Sequence, residues 1–420
     1  MSAPTSTVAQ PVEVPAAPVP TVGSHFRDYL ARVLGGDMGA LPAVFGLIVL
    51  CAVFAALRPN FLTAGNFANL FTQGAAVTLI AMGLIFVLLL GEIDLSAGFA
   101  SGVCAAVLAQ LATLHGFPWY VAAGAAIVTG VVIGLALGFL VAKVGIPSFV
   151  VTLAAFLAFQ GTVLLLIKGG TNVSIRDSVL VAIANRNMPP WLGWTLTLLG
   201  VAGYAAVQLI RYRTRTARGL VTEPVLVVLL RIGTLAVLLG AAVYILNLER
   251  SRTLLVSLRG VPIVVPIIAV LLIVWTFVLQ RTAYGRHVYA VGGNREAARR
   301  AGIDVDRIRI SVFVICSSMA AVGGIVAASR AASVDANTGG SKVLLYAVGA
   351  AVIGGTSLFG GKGRIVDAVL GGAVIAVIDN GMGLLGYTSG VTFVVTGSVL
   401  LLAASVDALS RRRAAATGHR

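Results

Sequence analysis

Twelve apolar runs fill most of this chain and leave it few folds to adopt. They lie near Leu41–Leu57, Ala75–Leu90, Ala97–Leu114, Trp119–Val141, Phe149–Ile167, Trp191–Ile210, Ile232–Leu248, Val261–Leu279, Ile310–Ala328, Val343–Ile353, Ile365–Leu385 and Val391–Leu409. Most approach the roughly 20 apolar residues that a helix needs to cross a bilayer. Hydrocarbon offers the backbone no hydrogen-bond partners, so such runs satisfy their own backbone as helices. Of the 420 residues, 58% are hydrophobic and 11% charged, which excludes the soluble classes. The expectation is an all-α, polytopic integral membrane protein with about twelve transmembrane helices.

Charge then orients the runs. Lys and Arg number 30 against 15 Asp and Glu, a formal +15. Basic patches interleaved with aromatics are missing, so nucleic acid is not the expected partner. The charge sits between apolar spans and suits topology control and contact with anionic membrane lipid. With the N-terminus inside, 20 basic residues fall in inside segments and 9 in outside segments, with Arg231 at the inner end of a span. That bias predicts both termini to be cytoplasmic. Residues 1–23, rich in Pro, Val, Ala and Thr, read as a disordered cytoplasmic tail, and residues 411–420 as a basic one. The transmembrane domain is expected over 24–410. No basic stretch precedes Leu41–Leu57 in the manner of a signal peptide, so that run reads as a first span. Cys51, Cys104 and Cys316 all lie within apolar runs, and the four histidines are scattered. Neither set has metal-ligand or disulfide spacing.

One inside loop, 280–309, contains a stretch too polar for the membrane, Gly285–Arg309. After Gly292-Gly293, Asn294 can cap a helix, Glu296 falls in its first turn, and Arg299 and Arg300 fall in its last. Gly302 can take positive φ and stop it. Ala297, Ala298 and Ala301 give a narrow face of small residues. About two turns are marginal alone in water, so this helix is expected to fold against its own protein or a partner. Gly285–Gly293 and Ile303–Arg309 read as its connections to the spans.

Two apolar runs are interrupted alike, by GEIDLSAG at Gly91–Gly98 and GGTSLFGGKG at Gly354–Gly363. Val343–Ile353 is half a span, so a broken helix is expected there, and broken helices in corresponding halves point to a transport path. Candidate pathway or gating residues are Glu92, Asp94, Ser96, Thr356, Ser357, Asp379 and Asn380. Acidic groups near a membrane are functional candidates by default. Glu92 and Asp94 also read as anions capping the helix that begins near Ser96. Asp379 reads equally as a structural hydrogen-bonding group. Gly130, Gly134 and Gly138 are spaced for close helix packing. GTSLFGGKG lacks the spacing and the Ser or Thr of a phosphate loop, so ATP binding there is rejected. No HExxH, GxSxG or CxxC constellation suggests an enzyme.

GEIDLSAG, IPSFVVTLAAFLAFQG (Ile146–Gly161), GRHVYAVGGNREAARRAGI, AVIGGTSLFGGKG and VIDNGMGLLG (Val377–Gly386) occur in this order. Together they resemble the permease subunits of ATP-binding-cassette monosaccharide importers, in the ribose and xylose branch. The resemblance runs from about Leu57 to Leu409. The additional segment at 191–260, with two spans and the basic loop RYRTRTAR, is most similar to the xylose permeases. The resemblance implies a transport subunit with no catalytic site or cofactor of its own. ATP and Mg would be bound by a partner ATPase, and an extracytoplasmic sugar-binding protein would deliver substrate. It also implies a permease homodimer in a bacterial cell membrane. The ATPase-docking residues would be Gly292, Gly293, Asn294, Glu296, Ala297, Ala298, Arg299, Arg300 and Gly302. The expected cargo is a monosaccharide, xylose or a related pentose. An ion-coupled secondary transporter is the alternative, and would need ionisable groups deep in several spans.

Overall fold

The computed structural model describes residues 39–168, 171–220, 222–251 and 257–416, together with Gly23 and Arg27. Nearly all of the expected N-terminal tail, the start of the expected transmembrane domain and residues 417–420 lie outside the described residues. The chain is helical almost throughout. It runs α1 (Leu41–Leu57), α2 (Ala64–Leu89), α3 (Ala97–Ala109), α4 (Trp119–Phe139), α5 (Ser148–Leu166), a short α6 (Ser178–Asn185), α7 (Pro190–Ala217), α8 (Val225–Asn247) and α9 (Val264–Arg281). Then come α10 (Ala283–Gly293), α11 (Arg295–Arg300), α12 (Val305–Ala331), α13 (Ser341–Ile353), α14 (Ile365–Leu384) and α15 (Ser389–Ala416). Helices α3 and α4 each end in a π turn, Gln110–Leu114 and Leu140–Val144. Among the described residues, nine helices of 18 residues or more are apolar enough to cross a membrane, and three shorter apolar stretches lie in α1, α13 and α15. These twelve coincide with the twelve apolar runs. The protein is a polytopic, all-α membrane protein.

Local chemistry explains the helix ends. Thr63 accepts a hydrogen bond from the Asn66 amide at the start of α2, and Asp304 from the Arg307 amide at the start of α12. Pro118, Pro147, Pro189 and Pro224 each precede a helix, where the missing N–H removes no intrahelical bond. Helices α2 and α12 form the centre. From Leu79 to Leu90 of α2 every residue is buried, and Val312, Phe313, Cys316, Ala320, Ala321 and Ala328 of α12 have no exposed surface. Helix α4 packs on α12 through its glycine stripe. A Cβ on Gly130 would lie 2.6 Å from the Ser317 carbonyl oxygen, and one on Gly138 would lie 2.8 Å from the Ile310 Cα. The inserted segment stays peripheral. Of α7 only Gly193 is buried, and α8 touches the bundle through a small cluster of Val243, Leu246, Ala68 and Val261.

Two local expectations are corrected. RYRTRTAR is not a loop but the last turns of α7, which runs on until Gly219 turns to φ +65°. Arg, Thr and Tyr are compatible with helix, and outside the hydrocarbon nothing obliges it to stop. Gly285–Gly293 is not a connection but most of α10, capped by Thr282, whose hydroxyl accepts the Gly285 amide at 3.2 Å. Beyond these, α6 and a two-residue antiparallel ladder, Val173 on Val334 and Ser174 on Ser333, were not foreseen. The half-span is present as expected, since α13 has 13 residues.

Candidate functional site: a welded junction beneath a capped helix

The capped helix forms as its sequence dictates. The Asn294 side chain accepts the Ala297 amide at 2.9 Å, and Glu296 meets Arg300 at 3.2 Å and Arg299 at 3.6 Å. Gly302 takes φ +82°, letting the Gly302 and Ile303 amides bond back to Arg299 and Ala298. Ala298 is buried against the bundle, whereas Glu296, Arg299 and Arg300 are exposed. The helix therefore has one face on its own protein and a charged face turned away.

Its root is tied to both interrupted loops. Arg295 donates from Nη2 to Glu92 Oε1 at 2.7 Å and to the Leu90 carbonyl at 3.2 Å. Arg309, near the start of α12, donates to the same Glu92 oxygen from Nε at 3.0 Å and Nη2 at 2.7 Å. The Tyr289 hydroxyl donates to the Gly363 carbonyl at 2.7 Å, and the Gly361 amide to the Leu89 carbonyl at 2.8 Å. Glycine is required where these backbones meet. A Cβ on Gly292 would strike the Leu89 carbonyl, and one on Gly360 (φ +86°) would lie 2.9 Å from the Gly91 nitrogen and 3.0 Å from the Gly292 carbonyl oxygen. Gly293, by contrast, faces open space. So α10–α11, GEIDLSAG and GGTSLFGGKG form one junction at one end of the bundle.

The candidate acidic pair divides in role. Glu92 anchors the junction. Asp94 is almost wholly buried and accepts the Ser96 amide at 2.8 Å and the Ser96 hydroxyl at 2.7 Å, standing over the start of α3. These bonds close the turn that leads into α3, whose N-cap residue, Ser96, makes no side-chain cap bond of its own. The Cys316 thiol also donates to Asp94, at 3.4 Å. Cys316 lies eleven residues beyond Val305, about 16 Å along α12. Asp94 thus lies well along α12, because the loop climbs back into the bundle beside that helix. Thr356 and Ser357 are buried and hold the second loop in shape. Thr356 donates to Asp367 at 3.2 Å, and the Ser357 amide donates to the Lys362 carbonyl at 2.8 Å. Asp367 also accepts the Arg364 amide at 2.8 Å, closing a capping box at the start of α14. Asp367 is more buried than Asp379.

Asp379 and Asn380 lie at the other end of α14, away from the junction. Asp379 accepts Gln73 at 2.7 Å, Lys342 at 3.0 Å and the Tyr346 hydroxyl at 3.2 Å. Asn380 and Asn66 exchange two side-chain hydrogen bonds, both at 2.9 Å. This network joins α2, α13 and α14. Arg295, Arg309, Tyr289, Asp367, Gln73 and Lys342 were not foreseen as site residues. Their partners are 203 and 217 residues away for Arg295 and Arg309, beyond any spacing rule. The one available hint was that a carboxylate in a short apolar-flanked loop needs a cation, and basic residues flank the capped helix.

The family described as the permease component of the branched-chain amino acid transport system matches residues 66–404. The xylose transport system permease protein of Escherichia coli (strain K12) is 36% identical over 353 residues, covering 84% of this chain and 87% of that protein. Its namesake in Haemophilus influenzae (strain ATCC 51907 / DSM 11121 / KW20 / Rd) is 32% identical, with 88% and 96% covered. The ribose import permease protein of Escherichia coli (strain K12) is 29% identical, with 87% and 92% covered. No solved structure matches the chain. The match over 66–404 takes in both interrupted loops, the capped helix and the Asp379 network, and the chain belongs to this family of membrane-embedded transport permeases.

Proposed function

We propose that this chain is the permease subunit of an ATP-binding-cassette importer that carries a monosaccharide, xylose or a related pentose, into a bacterial cell. The observation that carries this reading is the junction. A short helix presents Glu296, Arg299 and Arg300 outward while Arg295 and Tyr289 fix its root to the two loops that interrupt the spans. A partner ATPase that grips Asn294–Gly302 would pull on both loops at once. Helix-in-groove docking supplies the contact, and the Arg pair suits acidic residues at the groove's rim. In this reading the junction end and both termini are cytoplasmic, ATP and Mg sit on the ATPase, and a sugar-binding protein meets the opposite end. Two copies of the chain assemble. Glu92 positions the docking segment, Asp94, Ser96, Thr356 and Ser357 hold the loops, and Asp379 and Asn380 belong to the outer gate. The xylose permeases among the relatives, and the 191–260 segment, support a pentose.

Uptake of labelled sugars by proteoliposomes containing permease, ATPase and binding protein tests the reading. ATP-dependent uptake of xylose, above ribose and allose, is expected. Uptake driven by a proton gradient without nucleotide would instead establish the secondary transporter.

A further inference from the structure

The segment 335–340 is non-helical backbone set below the end of the bundle. Helix α12 has 27 residues, about 40 Å, so it overshoots a hydrocarbon core of about 30 Å by about 5 Å at each end if centred. After α12 and the short ladder at Ser333–Val334, the chain turns back. Gly339, at φ +75°, packs on Gly98, Ser101 and Gly102 of α3, and Ser101 in turn packs on Gly324 of α12. Gly324 is seven residues short of Ala331, about 10 Å inside the helix end and hence about 5 Å inside the hydrocarbon boundary. Helix α13 starts only at Ser341, and Lys342 bonds Asp379, five residues short of the end of α14.

Irregular backbone at such depth is tolerated only inside protein or along water. Helix α3 covers one side of the segment. On the other side Asp335, Asn337, Ser341 and Lys342 are exposed. The Asp335 carboxylate is held by the Asn337 amide at 3.0 Å and the Thr338 hydroxyl at 2.8 Å, while the Asn337 and Ser341 side chains make no hydrogen bond within the described residues. Lys342 stands 5.1 Å from the centre of the Tyr346 ring and 5.9 Å from that of the half-exposed Phe393.

We propose that Asn337, Ser341 and the Lys342–Asp379 pair line a water-filled mouth that receives a neutral polyol, with Phe393 offering its ring to the sugar's C–H face. The chemistry selects that class. A free amide and hydroxyl supply both donors and acceptors for vicinal hydroxyls. Lys342 and Asp379 neutralise one another, and the Asp335 carboxylate disfavours an anion. A pocket that hydrogen-bonds hydroxyls discriminates by leaving its own groups unpaired when they are absent. The proposal deepens the importer reading and rests on it for the identity of the ligand.

Cysteine accessibility tests it in the assembled transporter. Asn337→Cys and Ser341→Cys are made singly with Cys51, Cys104 and Cys316 changed to serine. Val237→Cys, on the exposed apolar face of α8, is the control. The probe is a charged, membrane-impermeant thiol reagent added on the binding-protein side, with and without xylose and binding protein. Labelling is expected at both mouth positions and not at Val237→Cys, and xylose is expected to slow it several-fold. Absence of labelling, as when a second copy of the chain covers this face, overturns the mouth. Labelling that xylose leaves unchanged, in an assembly that takes up xylose, overturns the sugar assignment. If the parental assembly shows no ATP-dependent uptake, it is the importer reading that has failed, and that result is separate from the labelling pattern.

Discussion

A single carboxylate oxygen joins three parts of the chain that sequence keeps far apart. Glu92 is 5% exposed at its side chain and Arg309 15%, whereas Arg295 is 44% exposed. The Glu92–Arg309 pair is therefore the shielded one, and Arg295 is the arm that reaches out to α11. Removing one member of a buried pair strands the other, at a cost of about 3–5 kcal/mol, and the partial exposure of Arg295 lowers this toward the bottom of the range. Glu92→Gln keeps the shape and some hydrogen bonding but removes the charge. On the importer reading proposed above, it is expected to leave insertion and ATP hydrolysis in place while sugar uptake per ATP falls about tenfold or more, since loosening by about 1.4 kcal/mol already shifts an equilibrium tenfold. Exchanging the charges, Glu92→Arg with Arg309→Glu, should restore part of that ratio. Unchanged coupling in Glu92→Gln would remove Glu92 from the coupling path. At this scale the sequence flagged the right anions, because carboxylates between apolar runs stand out. It could not supply their cations, because nothing local links residue 92 to residue 309. Nor could it separate Glu92 from Asp94, whose difference is whether the loop lies at the surface or climbs beside Cys316.

Elements were legible where a local rule governs them. The twelve apolar runs became helices because lipid leaves the backbone no alternative. Helix α11 was legible from its caps, since Asn294, Glu296, the two arginines and Gly302 act within one turn of themselves. Asn294→Ala should cost about 1 kcal/mol of local helix stability, seen as weaker retention of the ATPase on the purified permease, with Asn294→Ser restoring it. Equal retention in all three would mean that the ATPase does not depend on a formed α11. Helix α10 was missed because Gly285, Gly292 and Gly293 read as loop, whereas Gly285 and Gly292 are there for close backbone approach to Leu279 and Leu89. Another local knot, after α8, is set by one carboxylate. Glu249 accepts the Leu258 amide at 3.0 Å, the Ser251 amide at 3.0 Å and the Ser257 hydroxyl at 2.8 Å, and pairs with Arg259 at 2.9 Å. These donors, the Leu258 amide foremost, hold its pKa down at about 2. A carboxylate with a depressed folded pKa contributes order that is complete above its unfolded value of about 4.3. That order is lost as pH falls toward about 2. Amide exchange at Ser251 and Leu258, corrected for intrinsic rate, should rise across that window in the parent. Glu249→Gln should be unprotected already at neutral pH and show no such transition.

At the scale of the molecule, α12 is the shaft between the two polar ends. Arg309 near its start grips Glu92, and Arg330 at its far end donates to Asn69 of α2 at 3.3 Å. The α4 seam is the most extensive of the contacts that α12 makes with its neighbours. The GxxxG spacing announced tight packing but not its partner, because a small-residue stripe fits any complementary helix. The structure makes α12 the partner and separates two kinds of glycine on one helix. A Cβ on Gly134 would lie 2.5 Å from the Val314 Cα and 2.6 Å from the Phe313 carbonyl oxygen, whereas one on Gly124 would meet nothing within 4 Å. The obstruction at Gly134 is backbone, which no side-chain rotation can relieve. Gly134→Ala must therefore push α4 and α12 apart, at about 1–3 kcal/mol for overpacking. Gly124→Ala, with no steric opposition, should be neutral or gain up to about 1 kcal/mol from the reduced flexibility of the unfolded chain. Thermal unfolding in detergent compares the two variants with the parent, and only Gly134→Ala is expected to lower the midpoint. If both behave alike, the α4–α12 seam is not the close-packed contact that the Cβ distances at Gly130, Gly134 and Gly138 describe.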